Sequence, residues 1–374
     1  MSCPDVCSVE TITDVDAFVA LEADWNDAVA RARLTHPFLS HQWLRTWWEC
    51  FGTGRQLHIV IVRSGSTIVA IAPLLAETAW MYGVPIRRLR LMHNDHTPRA
   101  DFIVVGRERE AYRAIWESLL ATRDEWDVLQ LGQVPIDSPT HAHLSALALE
   151  DRCTVGTWRS SESPYLALTG SWDEYHARLT GKFRQNLRNR IARLSRVAEP
   201  ALEVVEGGDK VAAACADAIR LEASGWKRGI GTAITSDESV HRFYRVLATR
   251  AETAGWLRLL FLTVNGRRIA ASYSLAYERR LFLCKTGYDP EFDTGSPFKV
   301  LTCFAVRDAF ARGAVEVDFL GETEPWKLEW TKTVRAHDWL FVFSGTPRAR
   351  LLYPVKFQLL PALKRSSVGQ LVRR

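Results

Sequence analysis

At 374 residues, with 24% charged and 47% hydrophobic positions, the chain has ordinary globular composition and room for two to three domains. No apolar run approaches the ~18 residues that cross a bilayer, the start MSCPDVCSVE lacks a secretory pattern, and seven cysteines without a CxxC pair fit free thiols, so a cytoplasmic protein is expected. Residues 347–374 carry seven cations and no acid, which turns a net charge of +5 into −2 for residues 1–346; that argues against a basic, DNA-binding body.

Along the chain, Phe18, Leu21, Trp25, Val29 and Ala32 recur at helical spacing. A second helix is predicted at about 39–51, carrying Trp43, Trp47 and Trp48. Strands are predicted at 57–62 and 66–75 around an SGS turn, then near 88–92 and 101–105. A helix at 107–121 leads to a strand at 127–131, and 132–160 gives the weakest pattern, with one more helix in SPTHAHLSALALE. In the second half, helices are predicted near 171–180, 182–198, 208–227 and 237–254. Strands come next at 256–264, 268–277 and 281–288, the first two joined by an Asn265-Gly266 hairpin signal. A helix from Ser296-Pro297 to Gly313 and strands at 315–320 and near 334–343 close the series. Both halves run helices, antiparallel meander, helix, strand. This predicts an α+β protein of two similar domains, 1–170 and 171–346, with a basic tail at 347–374.

Four segments carry residue types suited to chemistry. Ser296-Pro297 opens a helix whose first turn suits a phosphate, and Lys299 at its third position suggests a nearby anion; an exposed, solvated lysine is the plain alternative. Ile219, Glu222 and Trp226 share a helix face, where a desolvated carboxylate suits a general base; Glu222 paired with Lys227 is the alternative. GKFRQNLRNRIARLSR at 181–196 holds six cations and no acid, with Arg190 at the edge of its apolar stripe. It is either a track for a phosphate-rich or acidic substrate or a solvated face. Asp318 ends a strand ahead of Trp326, Lys327 and Trp330, which make either part of a pocket or an ion pair with aromatic packing. HNDH at 93–96 with Asp101, and HAH at 141–143, lack a structural-zinc spacing, so no metal is expected. The tail mixes leucines with cations and either touches an anionic membrane or docks back on the body.

As a set, LEASGWKRGIGTAI (221–234), AGWLRLLFLTVNGRRIAASYSL (254–275), LCKTGYDPEFDTGSPFKVL (283–301) and VDFLGETEPWKLEW (317–330) resemble the BioF-type acetyltransferase-domain group. FLSHQWLRTWWECFG (38–52) and IAPL (71–74) add to the likeness. That group, often labelled CelD or BcsL cellulose-biosynthesis proteins, lies within the GNAT acyltransferase superfamily. The resemblance implies two tandem GNAT-like domains, related to the Fem family of aminoacyl-tRNA-dependent peptidoglycan transferases. It implies acyl transfer from acyl-CoA to an amine or hydroxyl of a polysaccharide or cell-envelope precursor, and it leaves room for peripheral contact with the inner membrane face. In that reading Glu222 is the general base or the group that positions the acceptor. Lys285 and Lys327 hold anionic substrate or the oxyanion, and Asp289 and Asp318 orient them. Ser296, Phe298, Lys299 and Val300 meet the pyrophosphate, and Arg190, Trp226, Lys227 and Trp330 meet substrate. Where the group usually has Ser-Pro-Gly, this chain has Ser296-Pro297-Phe298. Two rivals are a Fem-type transferase using aminoacyl-tRNA and a non-catalytic scaffold.

Overall fold

The computed structural model describes residues 7–224 and 233–361. The chain forms two compact units. One comprises residues up to Leu34, Phe38–Ser161 and the chain from Ala336 onward; the other comprises Thr35–Pro37 and Glu162–Arg335.

The first unit contains β1 (Cys7–Ile12), α1 (Val15–Ala20), α2 (Glu22–Arg31), α3 (His41–Phe51), β2 (Gln56–Ser64), β3 (Thr67–Met81), β4 (Val84–Leu91), β5 (Ile103–Val104), α4 (Glu108–Ala121), β6 (Val128–Pro135) and α5 (Pro139–Glu150). β1 to β4 form an antiparallel run, and β6 returns parallel to β4 over Arg88–Arg90 and Val128–Gln130. The tryptophan-rich α3 is capped by the Ser40 side chain and buries Trp43 and Trp47. β3 and β4 run on into a longer hairpin than the sequence predicts. Its turn puts both Tyr82 and Gly83 at positive φ, and a tyrosine there gives no turn signal.

β7 (Thr154–Ala167) leads out of the first unit and β13 (Val334–Phe343) leads back. The predicted division at 170/171 and 346/347 is therefore corrected. From His337 to Phe343, β13 pairs antiparallel with β6, so this strand belongs with the first unit. α11 (Pro347–Pro354) buries Ala349 and Leu352, and Phe357 packs on Phe341 and Phe343. The start of the basic tail is thus docked, and residues 362–374 lie outside the described part.

The second unit takes α6 (Trp172–Arg178), α7 (Gly181–Ser195), β8 (Ala201–Val205), α8 (Val211–Ala223), α9 (Glu238–Thr253), β9 (Leu257–Val264), β10 (Arg267–Tyr277), β11 (Arg280–Tyr288), α10 (Pro297–Ala311) and β12 (Glu316–Asp318). Its strand order is β7-β12-β11-β10-β9-β8, antiparallel except for the parallel β11–β12 pair. α7 lays Phe183, Leu187 and Leu194 into a core shared with Leu260, Val300 and Leu301. Among the described residues no helix is long and apolar enough to cross a membrane, and no group of His, Cys, Asp or Glu could hold a metal ion.

Candidate active site

In the second unit β11 and β12 pair in parallel for three residues, Arg280–Phe282 with Glu316–Asp318, and then part. The cause is local. The Asp318 carboxylate accepts the Leu320 N–H at 2.9 Å and the Arg335 guanidinium at 2.8 Å. Leu320 and Gly321 then both take positive φ, which turns the chain away from the sheet. The predicted strand at 315–320 stops at Asp318 for this reason.

The parting leaves a cavity of about 360 Å³, lined by Leu283–Tyr288 on one wall and Phe319–Gly321, Glu324, Trp326 and Lys327 on the other, with Glu222 and Phe298. Two features of β11 shape it. Tyr273 of β10 faces Lys285 but Ser274 faces Leu283, so Cys284 is the surplus residue of a β-bulge. Gly287 lets α8 touch the strand: a Cβ there would stand 2.6 Å from the backbone N of Glu222. α8 is pinned further by the Ser224 hydroxyl, which donates to the Tyr288 carbonyl at 2.9 Å.

Glu222 is buried, and its carboxylate accepts the Ile234 N–H at 2.8 Å. Lys285 on β11 sets its ammonium 5.8 Å from the Tyr244 ring centre. Burial pushes the Cys284 thiol up to about 12, so it enters the cleft as a neutral group and not a thiolate. The Phe298 ring meets Trp326 edge-on, with centroids 4.5 Å apart, and Trp326 meets Phe319 in the same manner.

The sequence-predicted residues therefore separate. Glu222, Lys285, Phe298 and Lys327 line the cavity. Trp226 and Lys227 lie outside the described residues. Lys327 is buried and donates to the Leu320 and Glu322 carbonyls at 2.8 and 2.9 Å, with Glu324 at 3.6 Å; its ammonium fastens the 320–327 loop. Burial pulls that lysine below its ordinary range, against the opposing pull of Glu324. Asp318 ends β12 and holds Arg335, and its negative charge also favours the charged form of Lys327; Asp289, just after β11, holds Arg267.

Ser296 makes the helix start without capping it. It sits at φ 44°, and its carbonyl, not its side chain, takes the N–H groups of Lys299 and Val300. Pro297 has no N–H, so among the described residues Phe298 offers the first-turn amide that lacks an acceptor. The Lys299 ammonium pairs with Glu329, and the Val300 side chain is core. Trp330 is core as well, edge-on to Phe183 at 4.9 Å, and Arg190 stands on α7 away from the cavity lining. Sequence reasoning missed Gly287, the surplus Cys284, and Glu324 on the far wall. An isolated glycine inside a strand pattern was the available signal.

Residues 181–328 match the sequence model of the family described as an acetyltransferase (GNAT) domain. The fold is GNAT-like. No curated protein matches the chain by sequence. Among solved structures, FemX is 11% identical with a TM-score of 0.60, over 92% of this chain and 99% of that one. L-PGS from Bacillus licheniformis is 11% identical with a TM-score of 0.50, over 91% and 94%. A conserved protein of unknown function from Bacteroides thetaiotaomicron is 15% identical with a TM-score of 0.50, over 90% and 100%. At such identities these likenesses speak for architecture alone.

Proposed function

We propose that the second unit moves an acyl group from an acyl-CoA thioester to an amine or hydroxyl of a polysaccharide or cell-envelope precursor, as in the CelD/BcsL-like group. The parting of β11 from β12 carries this reading. It leaves the β11 edge beyond Phe282 unpaired by β12, beside a cavity at the small end of the ~300–1,000 Å³ range of ligand sites. That volume suits a pantetheine arm and a short acyl group, with the nucleotide outside. An extended amide chain can lie along an open strand edge, and the Phe298 N–H and helix start would face the diphosphate.

In the transfer, the acceptor nitrogen or oxygen attacks the thioester carbonyl, the C–S bond breaks, and coenzyme A leaves as the thiol. Glu222 takes the proton of the nucleophile and passes it to the leaving sulfur, which restores its carboxylate. Lys285 and the β11 amides face the developing oxyanion.

Titration with acetyl-CoA against charged tRNA, followed by tryptophan fluorescence, tests the donor. Saturable quenching by acetyl-CoA is expected. Quenching by charged tRNA instead would move the donor to the aminoacyl-tRNA rival. Absence of thioester turnover over a broad acceptor panel would support the scaffold rival. The Glu222→Gln variant should keep donor affinity and lose roughly 10²–10⁴ in kcat; an unchanged rate removes Glu222 from the chemistry.

A further inference from the structure

We infer that the outer face of α7 is a docking surface for an anionic bilayer. Lys182, Arg188, Arg193 and Arg196 are exposed, and Arg184 and Arg190 half-exposed, along a helix that has no acid of its own. Among the described residues none of the six forms an ion pair. By contrast, Arg267, Arg268, Arg312 and Arg335 of this unit each hold two carboxylates. Arg184 also has a buried Nε with no acceptor among the described residues. The positive field reaches His176, whose ring is drawn below the ordinary histidine range by burial and then by Arg184 and Arg188.

The face is built rather than loose. Arg188 donates to Gln185 at 2.6 Å, Gln185 donates to Asn189 at 2.8 Å, and Arg193 donates to the Thr294 carbonyl at 3.0 Å. The apolar side of α7 is spent in the core, so contact with lipid is electrostatic and not insertional. Fifteen helical residues give a straight stripe of roughly 22 Å. A planar array of headgroup phosphates meets such a stripe along its whole length. A nucleic acid is the poorer partner. The exposed side offers no aromatic ring to stack a base, and the rest of the body is not basic. The inference does not rest on the acyl-transfer reading, since binding is measured without turnover.

The test is flotation of the full chain with phosphatidylcholine vesicles and with vesicles containing phosphatidylglycerol. Binding is expected only to the anionic vesicles, and it should fade as ionic strength rises to about 1 M, where the screening length shrinks to ~3 Å. The combined K182Q, R188Q, R196Q variant should bind at least ~100-fold more weakly, at about 1 kcal/mol per cation, with its Tm unchanged. A K364Q, R365Q, R373Q, R374Q variant should retain most of the binding. Hydrogen exchange on the unmodified chain gives a check free of folding artefacts: vesicles should slow exchange across 181–196. Equal binding to neutral vesicles, full binding by the α7 variant, loss of binding through the tail variant alone, or α7-dependent binding to duplex RNA without vesicle binding would each overturn the inference.

Discussion

Both units build an antiparallel meander, then a helix, then a strand that returns parallel to the last meander strand, yet beyond the parallel pair they diverge. In the second unit Gly287 brings α8 against β11, and the strands part around a cavity. In the first unit the paired stretch ends at Arg90 and Gln130. Just beyond it the His93 ring is buried edge-on to Trp339, 5.4 Å between centroids, and its Nε2 lies 2.5 Å from where a Cβ on Gly132 would stand. The same topology thus yields a cleft where a glycine admits a helix and a filled core where it admits an imidazole.

Valine at the two glycines breaks the comparison hardest. Gly287→Val meets α8 backbone, which cannot step aside, and should cost about 3 kcal/mol or more and abolish donor binding. Gly132→Val meets side chains, those of His93 and Trp339, rather than backbone, so a smaller loss is expected, with the cleft of the second unit intact. Urea unfolding alongside acetyl-CoA titration checks both.

Next in size is Lys327→Met, which keeps the length and removes the donor from two loop carbonyls. About 2–3 kcal/mol and a several-fold weaker donor affinity are expected from equilibrium unfolding and fluorescence titration.

The third contrast is with pH. Burial, with Arg90 and Arg88 nearby, pulls His93 down to about 3, and neither of its ring nitrogens has a hydrogen-bond partner among the described residues. The folded chain therefore keeps His93 neutral while the unfolded chain protonates it below about 6.5. Stability is full above that pH and falls as pH drops toward 3. At pH 5 the loss is roughly 2 kcal/mol. The His93→Asn variant should flatten the slope of denaturation midpoint against pH between 7 and 5; an unchanged slope would show that His93 is not its source.

The smallest effect belongs to Phe298→Ala. Removing the ring that meets Trp326 widens the cleft end, and a rise of up to about tenfold in donor KM with kcat little changed is expected.

Local signals carried much of the fold. The Asn265-Gly266 turn and the alternating apolar positions place β9, β10 and β11 within a residue or two, and Ser296-Pro297 places the start of α10. β7 escaped because TWRSSESPY is polar, exposed at Thr157–Arg159 and Glu162 but buried at Ser163 and Pro164, without the alternation of a half-buried strand. The pairing of β13 with β6 joins residues some two hundred positions apart and has no local signature. At the site, the acid and the lysine of the cleft were legible by residue type. Trp330 and Val300 were misplaced because an aromatic or aliphatic side chain reads the same in a core as in a pocket. Lys327 shows the same ambiguity for a cation: its partners are backbone carbonyls, which every residue possesses.

The surplus residue at Cys284 bends the strand without putting it out of step with its neighbour. Side chains of a strand alternate between its two faces, and the bulge absorbs the additional residue, so Leu283 and Lys285 oppose neighbouring residues of β10 although they are two apart in the sequence. Deleting Cys284 would therefore keep Leu283 opposite Ser274 and Lys285 opposite Tyr273 and remove only the bend of the bulge, whereas a one-residue deletion at Thr286, with no bulge to absorb it, would put Gly287 and Tyr288 out of step with β10.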